Sequence, residues 1–355
     1  MRYKLLGTSG LRVSELCLGT MTFGEEWGFG ASKEESRRMY DAFVEAGGNF
    51  IDTANTYNNG VSESYLGEFT RPNREGVVLA SKYSNTVTTG NPNAGGNNRK
   101  TMMESLNASL KRLNTDYIDL YWLHIWDFMT PVEEVLRAFD DMVSAGKVLY
   151  IGISDTPAWV VARANAIAEL RGWAEFVGLQ VEYSLTARTP ERELLPMARE
   201  MGIGVTAWSP LGGGLLTGKY ATTVKPLRKG NDSHDYRLNN PQWTEFWSLN
   251  DRNQKIAGEV SRVAEELRGT PSQVALNWLR SKDVIPIVGA RNARQMAENL
   301  GCLNFTLEEE CTKRLDEVSR IERGFPHDFY ELAMIRSLVY AGTFDRIDAR
   351  QVCRK

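Results

Sequence analysis

Short apolar runs alternate with longer amphipathic stretches along almost the whole chain. Two brief runs at the start, "YKLL" and "LRVS", flank Gly7 to Gly10 and read as a hairpin. Eight strand candidates follow: Glu15 to Gly19, Asn49 to Asp52, Val77 to Lys82, Ile118 to His124, Val148 to Ser154, Phe176 to Glu182, Gly204 to Trp208 and Val284 to Gly289. Between and after them lie stretches with helical periodicity: Ser32 to Ala46, Val61 to Phe69, Arg99 to Leu113, Val132 to Ala145, Pro157 to Leu170, Glu191 to Met201, the region Asn253 to Lys282, and Asn292 to Leu300. Eight strands, each followed by a helix, predict an α/β chain folded as a (β/α)8 TIM barrel.

No linker breaks the series, so residues 1–355 are expected to form a single barrel domain. An N-terminal β-hairpin over 1–14 precedes it, and a C-terminal helix and tail over 303–355 extends it. Two inserts are too long and polar to be mere connections: Tyr83 to Asn98 after the third strand and Gly212 to Phe246 after the seventh. Both are expected at the C-terminal face of the barrel, where barrel enzymes build their active sites.

Composition narrows the class of function. Hydrophobic residues make up 42% and charged ones 25%, and the net charge of −3 provides no field to attract nucleic acid or an anionic membrane. Small-molecule chemistry is therefore expected. Cys17, Cys302, Cys311 and Cys353 show neither a CxxC pair nor metal-ligand spacing, which fits a reducing, cytoplasmic setting and predicts no metal site. The first residues lack the apolar core of a signal peptide, and no uncharged run approaches the ~18 residues of a membrane span. Oligomeric state leaves no mark that the sequence reveals.

Candidate chemistry gathers at the strand ends. Asp52 closes the second strand, Lys82 the third and His124 the fourth, while Tyr57 stands in the loop after the second. Singly, each has a plainer reading: Asp52 as a turn residue, Tyr57 as a loop aromatic, Lys82 as a solvated strand end, His124 as a core histidine. A barrel brings all four to one mouth. There a lysine ammonium is expected to lower the tyrosine's pKa, and an aspartate to keep the ammonium charged and aimed. Such a set is suited to delivering a proton to an oxygen that becomes an alkoxide.

The pieces "GTMTFG", "IDTANTY", "ASKY", "LYWLH", "GKVLYIGIS", "LQVEYSL", "AWSPLGGGLLTGKY" and "ARNARQMAENL" resemble, in order, those of the aldo-keto reductases over nearly the full chain. That resemblance implies reduction of aldehydes or ketones by hydride from NADPH, bound extended across the barrel mouth. It makes Tyr57 the general acid, Lys82 and Asp52 its tuning pair, and His124 the group that orients or helps protonate the carbonyl. For the cofactor it implies Thr20 and Met21, then Ser154, Asp155 and Gln180 at the carboxamide and Trp208 stacked on the nicotinamide. Ser209, Leu211, Gly213 and Lys219 follow along the loop after the seventh strand, with Gly213 and Lys219 at the pyrophosphate. Gly289, Arg291, Gln295 and Asn299 fall at the adenosine end, where a guanidinium suits a 2′-phosphate. Trp27 and Trp126 are expected either as apolar substrate walls or as core residues. A rival reading also follows from the resemblance: potassium-channel β-subunits share this fold and cofactor site, and act as NADP(H) sensors.

Two local features refine this picture. "GGLLTGK", Gly213 to Lys219, has the spacing of a phosphate loop, but Tyr220 occupies the place of the magnesium-binding Ser or Thr, so a nucleotide triphosphatase is not expected. No GxGxxG follows the first strand, which argues against a Rossmann site. Where the family most often carries Ser-Asn after the fifth strand, this chain has Ser154-Asp155, and an ionised Asp can accept hydrogen bonds but not donate them.

Overall fold

The computed structural model describes residues 1–219, 247–248 and 250–347. Two short antiparallel strands, β1 (Tyr3–Leu5) and β2 (Arg12–Ser14), form the N-terminal hairpin. Eight parallel strands then close into a barrel: β3 (Cys17–Gly19), β4 (Phe50–Asp52), β5 (Val78–Tyr83), β6 (Ile118–Leu123), β7 (Val148–Ser154), β8 (Phe176–Glu182), β9 (Gly204–Trp208) and β10 (Ile285–Val288), with β10 pairing back onto β3. Each strand lies beside its sequence neighbours, as expected for successive βα units.

The helices are α1 (Lys33–Glu45), α2 (Val61–Thr70), α3 (Arg99–Leu113), α4 (Val132–Ser144), α5 (Ala158–Arg171), α6 (Leu194–Glu200), α7 (Asp251–Glu266), α8 (Pro271–Ser281), α9 (Ala293–Leu300), α10 (Glu309–Val318), α11 (His327–Tyr330) and α12 (Ala333–Val339). Their starts follow local chemistry. Side chains of Ser32, Asn98, Asn250 and Asn292 each accept a hydrogen bond from a first-turn backbone N–H, and Thr270 forms a capping box with Gln273. In α4 the buried positions Val132, Val135, Leu136, Phe139 and Met142 make one stripe against the barrel, as a surface helix requires.

Inside the barrel, Trp122 is fully buried and fills the space that Gly152 and Gly178 leave. A Cβ on Gly152 would stand 2.3 Å from the indole, so a larger residue there would displace it. Leu6 and Val13 of the hairpin join this inner cluster with Cys17, Phe50 and Leu120, closing the end of the barrel away from the site.

Boundaries differ from expectation in a few places. β3 starts at Cys17 because Glu15 is drawn instead to Arg280, at 2.8 Å, and to the backbone N–H of Arg2. The helical region 253–282 is two helices, separated where Arg268 takes a left-handed φ of 54° and Gly269 and Thr270 follow. A short 3-10 turn over Thr189–Glu191 precedes α6, which shortens that helix. Of the insert Gly212 to Phe246, residues 220–246 lie outside the described residues, as do 348–355 of the C-terminal extension.

Candidate active site

One cavity opens at the C-terminal ends of the strands, and every one of the eight units contributes to its wall. Gly19 to Thr22 come from the first unit, Asp52, Thr56 and Tyr57 from the second, Asn85 from the third, and His124 and Ile125 from the fourth. Ser154 and Asp155, then Gln180, line it from the fifth and sixth. Trp208 to Leu211, Gly213, Lys219 and Trp247 come after the seventh strand, and Ile287 to Arg291 with Gln295 from the eighth.

The register of the strands sets the polar centre. Asp52 is the last residue of β4 and pairs with Ala80, so Lys82 stands two residues further along β5. Lys82 is fully buried behind the cavity wall. Its ammonium donates to Asp52 Oδ2, to the Thr53 carbonyl at 2.8 Å and to the Tyr57 hydroxyl at 3.2 Å. All three of its protons are thereby used. The second oxygen of Asp52 accepts from Gln180 Nε2 at 3.1 Å. Because Tyr57 receives a hydrogen bond from Lys82, its own O–H proton must turn elsewhere, and the side of the ring that faces no such donor is the cavity.

Burial lowers the Lys82 pKa, but attraction to Asp52 and Tyr57 together with their hydrogen bonds outweighs it, and the ammonium titrates above its usual range. Tyr57 behaves otherwise than expected from sequence. Burial pushes its pKa up more strongly than Lys82 pulls it down, and the net shift is upward. The phenol is thus a protonated group at neutral pH, with the lysine limiting a rise that burial causes.

His124 follows directly after β6, fixed by its backbone N–H to the Tyr83 carbonyl at 3.1 Å. Its ring meets that of Tyr57 edge to face, with centroids 6.1 Å apart. Burial, reinforced by the charge of Lys82, depresses the imidazole pKa well below 6.5, so the ring is neutral. Asn85 Nδ2 lies 3.2 Å from Nδ1. An amide nitrogen only donates, so Nδ1 accepts and the proton of the neutral ring is assigned to Nε2. Asn85 is a site residue that sequence reasoning missed. It stands in a polar insert, and no spacing distinguishes it from its neighbours.

The remaining expected residues fall into two groups. Thr20, Met21, Ser154, Asp155, Gln180, Trp208, Ser209, Leu211, Gly213, Lys219, Gly289, Arg291 and Gln295 all line the cavity. Ser154 Oγ is buried there without a hydrogen-bond partner, an orphaned polar atom that an amide-bearing ligand would satisfy. Gly213 lies against the indole of Trp247, whose Nε1 donates to Glu182 at 3.0 Å, so Trp247 is a further wall residue that the sequence did not point to. Trp208 Nε1 donates to Asp155 Oδ1 at 3.0 Å.

Two further residues stand back from the cavity wall. Trp126 is buried in the main core and does not line the cavity, which matches the second of the two readings open to it from sequence. Asn299 is also buried outside the cavity wall, donating through its amide to the Gly289 carbonyl at 3.3 Å; it supports the loop from behind. Trp27, by contrast, lines the cavity and makes an edge contact with Tyr57, at 6.3 Å between centroids.

The sequence pattern of the Aldo/keto reductase family matches residues 15–320. Over 338 residues the chain is 37% identical to norsolorinic acid reductase of Aspergillus flavus, covering 92% of this chain and 82% of that protein. It is 35% identical to aryl-alcohol dehydrogenase [NADP(+)] of Phanerodontia chrysosporium, covering 97% and 93% respectively. A putative aryl-alcohol dehydrogenase of Saccharomyces cerevisiae is 36% identical, with 90% and 86% covered. The chain belongs to the aldo/keto reductase family, and so to the oxidoreductases. Among the described residues no helix is long and apolar enough to cross a membrane, and no cluster of three His, Cys, Asp or Glu side chains could hold a metal.

Proposed function

We propose that this enzyme interconverts aromatic aldehydes or ketones and their alcohols with NADP(H), Tyr57 serving as the proton donor in the reducing direction. The observation that carries this reading is the hydrogen-bond count at Lys82, which leaves the Tyr57 proton turned towards the cavity. A bound nicotinamide would supply the hydride for the carbonyl carbon. Tyr57 gives its proton to the carbonyl oxygen, and Lys82 then stabilises the phenolate left behind, with Asp52 fixing the ammonium. The Nε2–H of neutral His124 donates to the same oxygen and orients it. Being uncharged, His124 cannot compete as the acid.

For the cofactor, Ser154 and Gln180 would hold the carboxamide, and Trp208 would offer the ring a flat face. Gly213 and Lys219 would meet the pyrophosphate, with Arg291 and Gln295 towards the adenosine end. An aromatic substrate is favoured by the names of the relatives and by Trp27, Tyr57, His124 and Ile125 on one side of the cavity.

The test is turnover of substituted benzaldehydes against aliphatic aldehydes of equal size, with NADPH and NADH compared. Faster turnover of the aromatic set with NADPH is expected. Tight NADPH binding with no turnover of either set would favour the sensor reading instead.

A further inference from the structure

We propose that Asp155, fixed at the cavity wall by the Trp208 indole, determines how strongly this enzyme prefers the oxidised over the reduced form of its nicotinamide cofactor. The inference rests on the cofactor reading above. Asp155 directly follows β7 with a left-handed φ of 39°, a conformation that Asp and Asn tolerate better than other side chains. Its backbone N–H donates to the Gln180 carbonyl at 3.3 Å, and its Oδ1 accepts from Trp208. The carboxylate therefore stands among Ser154, Gln180 and Trp208, the group assigned above to the nicotinamide.

The two cofactor forms share every phosphate, and the ring alone differs: cationic when oxidised, neutral when reduced. A group that senses the ring's charge separates them, whereas one that holds both forms equally shifts nothing. Asp155 is such a group. The charged and titratable neighbours facing it are Glu182 from β8, Lys82 from β5 and Tyr57. Lys82 is already compensated by Asp52, and Tyr57 is neutral, so an ionised Asp155 leaves this wall negative. Glu182 is held in place by Trp247 and adds charge of the same sign when ionised.

Asp155 is exposed to solvent within the cavity, and the walls of the barrel mouth surround the carboxylate without covering it. Desolvation by those walls, with repulsion from Glu182, raises its pKa to about 6, against the opposing pull of the Trp208 hydrogen bond and Lys82. Above that value the carboxylate is ionised and attracts the cationic ring. Below it the carboxyl is neutral and the preference fades.

Calorimetric dissociation constants for NADP+ and NADPH, measured on the full chain from about pH 5 to about pH 8, test this. The 2′-phosphate also titrates in that range, but it is common to both forms and cancels in their ratio. Wild type should favour NADP+ by a further three- to tenfold, roughly, as pH rises through the window. Asp155→Asn keeps an acceptor for Trp208 and suits the left-handed backbone, and its ratio should stay flat at the wild-type acid value. Glu182→Gln should move the wild-type midpoint to lower pH. A flat wild-type ratio, or an Asp155→Asn ratio that follows wild type, would overturn the proposal while the cofactor reading survives. Failure of both forms to bind would remove both.

Discussion

Lys82 donates to the Tyr57 hydroxyl across 3.2 Å from behind the cavity wall, while that hydroxyl faces the cavity itself. The phenol oxygen is thus held by the ammonium on one side and open to the cavity on the other. A buried charge in such a position has a structural role as well as a chemical one.

Lys82→Met should therefore do two things. Leaving Asp52 buried and unpaired should destabilise the fold by about 3–5 kcal/mol, read by denaturant unfolding. Adding Asp52→Asn should recover part of that loss without restoring activity. In the single variant the alkaline limb of the pH profile for reduction, where Tyr57 loses its proton, should move to higher pH, since Lys82 is what pulls the Tyr57 pKa down. An unchanged limb would mean that the lysine only supports the fold.

His124 makes a prediction about stability and pH. Its folded pKa lies well below the ~6.5 of an unfolded histidine, so below that value the unfolded chain binds the extra proton and the folded one does not. Its contribution to stability is thus present above about pH 6.5 and is lost as pH falls towards the folded pKa. Melting temperatures of His124→Gln should fall less steeply than those of wild type between about pH 7 and about pH 5. Parallel curves would contradict the buried, neutral state.

The two tryptophans after the first and fourth strands should separate cleanly. Trp27→Ala should raise KM for aromatic substrates with little change in melting temperature, because it removes cavity wall. Trp126→Ala should cost about 3–5 kcal/mol of stability, because it empties core. The reverse pattern, seen by the same two measurements, would exchange their roles.

Arg291→Ala should weaken NADPH by roughly 1.5–3 kcal/mol more than NADH, the scale of a charge-assisted hydrogen bond to the 2′-phosphate. Titration of both cofactors against both proteins checks this, and equal losses would place the guanidinium elsewhere.

The barrel was legible because its strands are short apolar runs with polar ends, a pattern that survives in one dimension. Asp52, Lys82 and Tyr57 were legible for the same reason: their positions along successive units fix their meeting point. Relations made by side-chain direction were not. Nothing in the order of residues shows that Asn85 reaches His124, that Trp247 returns to Glu182, or that Trp126 turns inward while Trp27 turns to the cavity. The balance at Tyr57 was also out of reach, because it depends on how much water the folded wall excludes, whereas the charge of Lys82 can be read from its letter.

Tyr57→Phe removes the proposed proton donor and almost nothing else. Turnover of an aromatic aldehyde and NADPH affinity should be measured on the same folded preparation. Turnover should fall by ~10²–10⁴ with NADPH affinity within a few-fold of wild type. Near-normal turnover by the folded variant would contradict it.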